Sequence, residues 1–339
     1  MIKTKITEMF DIEHPIVQGG MHYVGFAEMA AAVSNAGGLG IITGLTQASP
    51  KDLANEIARC KDMTDKPIGV NLTFLPGFAN PDYPGYIESI VKGGVKIVET
   101  AGRSPEKFMP LLKDAGIKVI HKCTSVRHAL KAEKIGCDAA SVDGFECGGH
   151  PGEDDIPNMI LLPRAFEELK IPFIASGGMG NGQQLVAALA MGAEGVNMGT
   201  RFIATKEAPV HQNVKEALVN ASELDTRLVM RPLRNTERVL NNPAVEKLLQ
   251  KERDLGADLK FEDIIDEVAG QLTVLSFFAN DPALMLSAFL TFRFFDIIKI
   301  WPTNWVDENI KGGFGIMIDD IIAAAQSIVV IKFALFFLY

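Results

Sequence analysis

Short apolar runs alternate with amphipathic stretches along the first two thirds of the chain. The apolar runs are residues 15–18, 39–43, 67–72, 95–100, 118–121, 139–142, 172–176 and 195–198. Between them, apolar positions recur at helical spacing in residues 27–35, 51–60, 81–92, 105–114, 126–134, 162–168 and 183–190. Short strands without polar alternation are typical of a parallel sheet that is buried on both faces. The pattern therefore predicts repeated strand–helix units.

A closed parallel barrel explains this repetition best. The eight apolar runs occupy roughly 200 residues, which is the usual extent of a (β/α)8 TIM barrel. Glycines close several predicted helices just before the next strand, where a left-handed cap is favourable. An open, doubly wound α/β sheet is the alternative fold.

The pattern of apolar and polar residues changes after the barrel, which we assign to residues 1–222. Residues 223–271 are charged and contain no apolar strand-like run, and their pattern predicts a helical extension near the barrel mouth. Residues 272–339 form an apolar C-terminal region that we expect to be helical. A membrane span needs about 20 apolar residues without interruption. Polar residues such as Asp281, Asp296 and Lys332 break these runs, so we expect buried helices or an interface and no membrane span.

Composition and charge exclude several functions. The net charge is −9 and the isoelectric point is about 5.3, which is unfavourable for binding nucleic acid. The four cysteines are widely scattered, and none has a spacing that predicts a metal site. The first residues lack the apolar segment of a signal peptide. Together these features predict a cytoplasmic protein without a structural metal.

Candidate chemistry follows the predicted strands, because the loops at the carboxyl ends of barrel strands carry function. After the first strand, residues 18–21 read Gln-Gly-Gly-Met, and the glycines allow a flat ring to approach the backbone. A plain tight turn is the alternative interpretation. Thr73 ends the third strand, and Lys122 ends the fifth, where its ammonium can stabilise a reduced flavin or simply reach solvent.

The loop after the sixth predicted strand is the most informative segment. Residues 143–155 read DGFECGGHPGEDD, so that Gly149 and His150 lie on a constrained loop ahead of Pro151. A histidine there can donate a hydrogen bond to a bound carbonyl or transfer a proton. The alternative is a structural loop histidine. The acidic residues 153–155 lack the histidines or cysteines of a metal site, which favours a solvated acidic loop or a helix N-terminus.

Two glycine-rich loops predict a phosphate site. They follow the seventh and eighth strands, the usual position of phosphate sites in this barrel. Their backbone amides and hydroxyls can surround a phosphate dianion. The residues concerned are Ser176, Gly177, Gly178, Gly199 and Thr200. The chain has neither the GxxxxGK[ST] sequence of P-loop enzymes nor a strand-associated GxGxxG, which weakens the ATPase and Rossmann interpretations.

Taken in order, these motifs resemble a known family. QGGM, AAVSNAGGLG, NLT, HKC, DGFECGGHPGEDD, ASGGM, NMGTRF and MRPLRNTERV are similar to motifs of the nitronate monooxygenase / 2-nitropropane dioxygenase superfamily. Within it, the chain most resembles the bacterial FMN-dependent NADH:quinone reductases. The resemblance extends from about Ile6 to Gly270 and fades beyond Gln271. It implies a TIM barrel that binds FMN non-covalently.

The resemblance also implies site residues. The family's active-site histidine matches His150, and Pro76 matches a residue that contacts the nicotinamide cofactor. The implied FMN contacts are Gly20, Met21, His22, Thr73, Lys122, Gly149, Gly178, Gly199 and Thr200.

We therefore expect ping-pong electron transfer from NAD(P)H through FMN to a small acceptor. A quinone is the leading acceptor, and oxidation of an alkyl nitronate with O2 is the alternative. An enoyl-thioester reductase and a non-catalytic flavin- or phosphate-binding protein are further hypotheses. The sequence leaves open whether the protein is a homodimer, which acceptor it uses and whether it prefers NADH or NADPH.

Overall fold

A computed structural model describes residues 2–74, 81–261, 264, 291–292, 294–295, 298–299, 301–305 and 313–338. The chain is divided into two compact units, Met1–Val245 and Glu246–Tyr339. Pro76, the predicted contact of the nicotinamide cofactor, lies outside the described residues.

Eight parallel strands form the barrel that the apolar pattern predicts. They are β1 (Ile16–Gln18), β2 (Gly40–Thr43), β3 (Ile68–Phe74), β4 (Ile97–Gly102), β5 (Lys118–Cys123), β6 (Ala139–Asp143), β7 (Phe173–Ser176) and β8 (Val196–Met198). The order around the sheet is β1-β8-β7-β6-β5-β4-β3-β2. Leu39, just before β2, bridges Val17 of β1 and joins the two ends of the sheet. The (β/α)8 barrel prediction is thus confirmed, and the open sheet is excluded.

Helices connect the strands. They are α1 (Lys5–Phe10), α2 (Ala27–Asn35), α3 (Pro50–Lys61), α4 (Tyr83–Lys92), α5 (Met109–Asp114), α6 (Val126–Lys134), α7 (Asn158–Glu168), α8 (Gly182–Ala190), α9 (Thr200–Ile203) and α10 (Gln212–Asn220). Short 3-10 turns lie at Gly44–Thr46 and Glu106–Phe108. Ser49, Ser125 and Asn181 begin α3, α6 and α8, and their side chains accept backbone N–H groups of the first turn.

Two side-chain layers fill the interior of the barrel. The lower layer is an apolar cluster that α1 closes from below with Ile6 and Phe10. Its strand residues are Val17, Ile41, Ile97, Ile120, Ala139 and Ile174. Because side chains alternate along a strand, the position two residues later also faces inward. Those positions hold Thr43, Glu99, Lys122, Ser141 and Ser176. The interior therefore changes from apolar to polar toward the carboxyl ends of the strands.

A larger apolar core lies between the strands and the surrounding helices. Strand residues such as Leu72, Val98, Val119 and Val142 and helix residues such as Leu53, Ile90, Leu112 and Leu162 belong to one cluster and are fully buried. Burial of this surface is the main stabilising contribution to such a fold. It also fixes the strands from which the loops of the candidate site project.

The segment after the barrel differs from its predicted structure. It begins with an antiparallel hairpin of β9 (Thr226–Val229) and β10 (Glu237–Leu240), where we expected only helix. The charged side chains concealed these strands, because alternation of apolar and polar residues is weak in a short ribbon that is only half buried. A helix follows at α11 (Pro243–Leu255), with a 3-10 turn at Gly256–Asp258.

The second unit is described only in part. Its long helix is α12 (Gly313–Leu338). Within the described residues, none of the helices combines the length and the apolar character needed to cross a membrane. Ala323, Ala324 and Ser327 of α12 are fully buried, and the side chain of Gln326 accepts a hydrogen bond from the Thr303 hydroxyl (2.8 Å).

Candidate active site

A buried carboxylate lies at the centre of the polar layer. Glu99 of β4 is fully buried, and each of its oxygens accepts hydrogen bonds. Oε2 accepts from the backbone N–H of Gly20 (2.9 Å) and from Nδ2 of Asn71 (2.8 Å). Oε1 accepts from Nδ2 of Asn197 (2.8 Å). Glu99 thus joins the loop after β1 to strands β3 and β8 across the barrel.

Lys122 and Asp143 form the second part of this layer. Their Nζ and Oδ2 atoms are 3.7 Å apart. Burial disfavours the charged lysine, but the carboxylates of Asp143 and Glu99 outweigh it and raise the pKa of Lys122 above its ordinary value. Ser141 donates to Asp143 (3.2 Å), and Asn197 donates to Ser141 (3.2 Å). The two carboxylates are therefore linked through one continuous set of hydrogen bonds.

The loop after β1 presents its backbone toward the same end of the barrel. A side chain at Gly20 is excluded, since its Cβ would lie 2.3 Å from Cγ of Asn71. Met21 exchanges two hydrogen bonds with the Thr43 hydroxyl, from its N–H and to its carbonyl (2.9 Å each). His22 follows, with Nδ1 at 3.2 Å from the Thr46 hydroxyl. The glycine is required here by close packing inside the barrel.

The glycine-rich loops after β7 and β8 converge on this region. Gly177 and Gly178 have φ angles of +89° and +69°, which other residues rarely adopt. Arg201 Nε donates to the carbonyl of Gly180 (2.7 Å) and so joins the two loops. A Cβ at Gly199 would lie 3.6 Å from the Met21 sulfur. The first and eighth loops are therefore neighbours in space.

The predicted phosphate residues differ in their surroundings. A Cβ at Gly148 would lie 3.7 Å from the Thr200 hydroxyl, which brings the sixth loop to the eighth. At Gly149, φ is +79° and no heavy atom lies within 4 Å of the corresponding Cβ position. Ser176, in contrast, is buried and directs its hydroxyl to Asp143. The open space beside Gly149 and the accessible Thr200 fit a phosphate group, while Ser176 is already engaged.

Thr73 and His150 are two further predicted site residues, and the side chains of both have polar partners. The Thr73 hydroxyl donates to Oδ1 of Asn71 (3.0 Å). Nε2 of His150 lies 3.0 Å from Oε1 of Glu237 on the hairpin. The hydrogen bond to Glu237 is the main cause that raises the pKa of His150, and burial opposes it.

The hairpin is bound to the loop of His150 through several polar contacts. Gly149 and Arg238 exchange backbone hydrogen bonds of 3.0 and 2.7 Å. Glu153 accepts from the N–H and the hydroxyl of Thr236 (2.9 and 2.8 Å). Asp155 accepts from Nη2 of Arg231 (3.0 Å). Residues 153–155 are exposed and lie in a loop, as we expected, and two of their carboxylates also bind the hairpin.

The sequence analysis assigned no role to three residues of the site, Glu99, Asp143 and Glu237. Glu99 and Asp143 follow Ile97 and Ala139 at even spacing along their strands, so strand parity alone could have placed them in the interior. Glu237 lies in the MRPLRNTERV motif, but the sequence pattern did not predict its strand, so nothing indicated a contact with His150.

Comparisons with known proteins agree with this geometry. The nitronate monooxygenase family model matches residues 3–267, and the phosphatidylglycerophosphatase A model matches residues 247–335, about a quarter of the chain. The match to the phosphatidylglycerophosphatase A model covers most of the C-terminal unit, where the resemblance to the nitronate monooxygenase family fades.

Individual relatives are described by different activities. A (3aS,4S,5R,7aS)-5-hydroxy-7a-methyl-1-oxo-octahydro-1H-indene-4-carboxyl-CoA dehydrogenase of Rhodococcus jostii is 36% identical over 73% of this chain and 68% of its own length. A probable nitronate monooxygenase of Staphylococcus aureus is 30% identical over 75% of this chain and 82% of its own. The structure of FabK from Thermotoga maritima has a TM-score of 0.72 and 36% identity, covering 81% of this chain and 84% of that one. The chain belongs to the nitronate monooxygenase family of flavin-dependent oxidoreductases.

Proposed function

We propose that the protein is an FMN-dependent oxidoreductase that passes electrons from NAD(P)H to a quinone. The observation that carries this proposal is the convergence of the first, sixth and eighth loops above a polar layer that contains the partly buried cation Lys122. FMN, when bound, supplies the redox chemistry that links a hydride donor to an electron acceptor. No amino-acid side chain can perform this chemistry.

The chain's own residues have distinct roles in this proposal. Backbone N–H groups of Gly178 and Gly199, with the Thr200 hydroxyl, bind the phosphate of the cofactor. Lys122 would stabilise negative charge on the ring of bound FMN, because the two neighbouring carboxylates keep the lysine protonated. His150 faces the acceptor and supplies a proton to its oxygen.

Two other functions have support from particular relatives. Nitronate oxidation is supported by the probable nitronate monooxygenase of Staphylococcus aureus, which is similar over three quarters of this chain. Thioester oxidation or reduction is supported by the carboxyl-CoA dehydrogenase of Rhodococcus jostii, at 36% identity. All three functions use the same cofactor site, and they differ in the molecule that exchanges electrons with it.

Anaerobic stopped-flow absorbance of the FMN-loaded protein separates these functions. NADH, NADPH, an alkyl nitronate and an acyl-CoA thioester are each mixed with the oxidised protein. We expect rapid bleaching with NADH or NADPH, followed by recovery of the yellow colour when a benzoquinone is added. Bleaching by the nitronate or by the thioester, without bleaching by either nicotinamide, contradicts the proposal and identifies the corresponding alternative. Protein that retains no FMN contradicts all three.

A further inference from the structure

His150 is held by a residue from outside the barrel. Its Nε2 lies 3.0 Å from Oε1 of Glu237, which belongs to β10. The imidazole is about half exposed, and the glutamate side chain is 30% exposed, so the pair is accessible to a ligand yet partly shielded from water. An ion pair with this degree of shielding is stronger than one at a fully exposed surface.

Further contacts join the hairpin to the loop of His150. Backbone hydrogen bonds between Gly149 and Arg238 fix the residues directly next to His150 and Glu237. Nη2 of Arg238 donates to the carbonyl of Phe145 (3.0 Å), and its guanidinium lies 4.7 Å from the centre of that ring. These contacts on the two flanking residues constrain the distance between imidazole and carboxylate.

The surrounding charges act in the same direction. Glu237 and Glu153 both favour the protonated form of His150, as does a hydrogen bond to the side chain of Asn235, while burial opposes it. Arg238, the nearest cation along the hairpin, is directed to Phe145. The electrostatic surroundings therefore oppose the loss of the imidazolium proton.

We propose that Glu237 is a positioning residue that holds His150 in its charged, proton-donating form toward the electron acceptor. This inference rests on the proposed function. Reduction of a quinone to a hydroquinone requires two electrons and two protons. NAD(P)H would supply both electrons and one proton as a hydride, and FMN, when bound, would provide the redox chemistry for this transfer. The N–H of His150 supplies the second proton to the quinone oxygen, and water then returns a proton to the imidazole.

The pH dependence of His150 tests the role of Glu237 directly. NMR titration of the histidine C–H resonances is recorded for the wild-type protein and for Glu237→Gln, with His150→Gln to identify the resonance. We expect the midpoint of His150 to fall in Glu237→Gln, because the charged partner that favours the protonated imidazole is lost. Asp154→Asn is the matched control, since it removes a carboxylate of the same loop that is paired with Arg127 and not with His150. Equal midpoints in wild type and Glu237→Gln overturn the proposal.

Reoxidation of the reduced protein by a benzoquinone gives the second readout. A donor must be protonated, so the rate is high at low pH and falls as pH rises through the pKa of His150. In Glu237→Gln this fall should begin at lower pH than in wild type, so that the two rates agree at low pH and the variant is slower at high pH. If Glu237→Gln does not fold, the wild-type titration decides, because a midpoint at or below the ordinary value of about 6.5 contradicts the proposal. A changed titration without any quinone reduction in wild type overturns the proposed function instead.

Discussion

The polar groups around Glu99 lie inside the barrel, whereas those that bind the hairpin to the loop of His150 lie near its surface. Both regions use carboxylates that accept hydrogen bonds from amides and hydroxyls. Glu99 is fully buried, while Asp155 and Arg231 are 44% and 39% exposed. Water can replace a partner that is lost at the surface but not one that is lost in the interior. The same chemistry should therefore determine stability in one region and local geometry in the other.

Glu99→Gln should have the largest effect, because it tests the interior region alone. The new amide would direct N–H groups at one of the three donors that now bind the carboxylate, and the charge is lost. We expect the free energy of unfolding to fall by about 3–5 kcal/mol, as when one partner of a buried charged contact is removed. Urea denaturation measures the change.

A second substitution distinguishes the polar contact from a general packing defect. Asn197→Asp, combined with Glu99→Gln, provides an acceptor for the new amide and should restore part of the lost stability. Glu88→Gln on α4 is the control, since its pair with Lys92 is exposed, and we expect a change of no more than about 0.5 kcal/mol. If Glu99→Gln is as stable as this control, the interior contacts do not contribute more to the free energy of unfolding than the surface contacts do.

Acidification should weaken the core between the strands and the helices through His121, whose side chain alternates with the inward-facing Ile120 and Lys122. Burial lowers the pKa of this histidine to about 4, although Nδ1 contacts the Thr100 hydroxyl at 2.8 Å. Between the ordinary pKa of about 6.5 and pH 4, the unfolded chain binds the proton and the folded one does not. Stability is thus complete above pH 6.5 and falls as the pH decreases, by about 3 kcal/mol at pH 4. Urea denaturation at pH 7 and 4.5 should show a smaller loss in His121→Asn than in wild type, and equal losses would contradict this.

Thr200→Val probes the boundary between the two regions, where the sixth and eighth loops meet. We expect FMN to bind about tenfold more weakly, which corresponds to the loss of one hydrogen bond to a charged group, about 1.4 kcal/mol. Quenching of FMN fluorescence on titration into the apoprotein measures the affinity. Thr205→Val is the control, because its hydroxyl donates to the carbonyl of Phe202 and is not a predicted phosphate contact. Unchanged affinity in Thr200→Val would remove this residue from the phosphate site.

Asp155→Asn should have the smallest effect, because its pair with Arg231 is at the surface. We expect the free energy of unfolding to change by less than about 1 kcal/mol. Raising the salt concentration should reduce even this difference, since exposed charges are screened. A loss comparable to that of Glu99→Gln in urea denaturation would show that the hairpin contacts are as important for stability as the barrel interior.

The barrel could be predicted from the sequence because its strands are buried on both faces. Each strand is then a short apolar run, and runs such as residues 39–43 and 172–176 are recognisable without any partner. The hairpin could not be predicted, since β9 and β10 are only partly buried and carry arginine and glutamate at positions that a helix would also tolerate. The position of Pro76 stays a prediction.

What the sequence determined by itself is the order of strands and helices and the glycine-rich loops that follow them. These features depend on local preferences, such as the apolar continuity of a buried strand and the freedom of Gly177 and Gly178 to adopt positive φ. The tertiary structure decided which polar residues meet. Glu99 contacts Asn197, 98 positions away, and His150 contacts Glu237 on a separate hairpin. Such contacts arise from closure of the sheet and from docking of the hairpin, and no spacing along the chain encodes them.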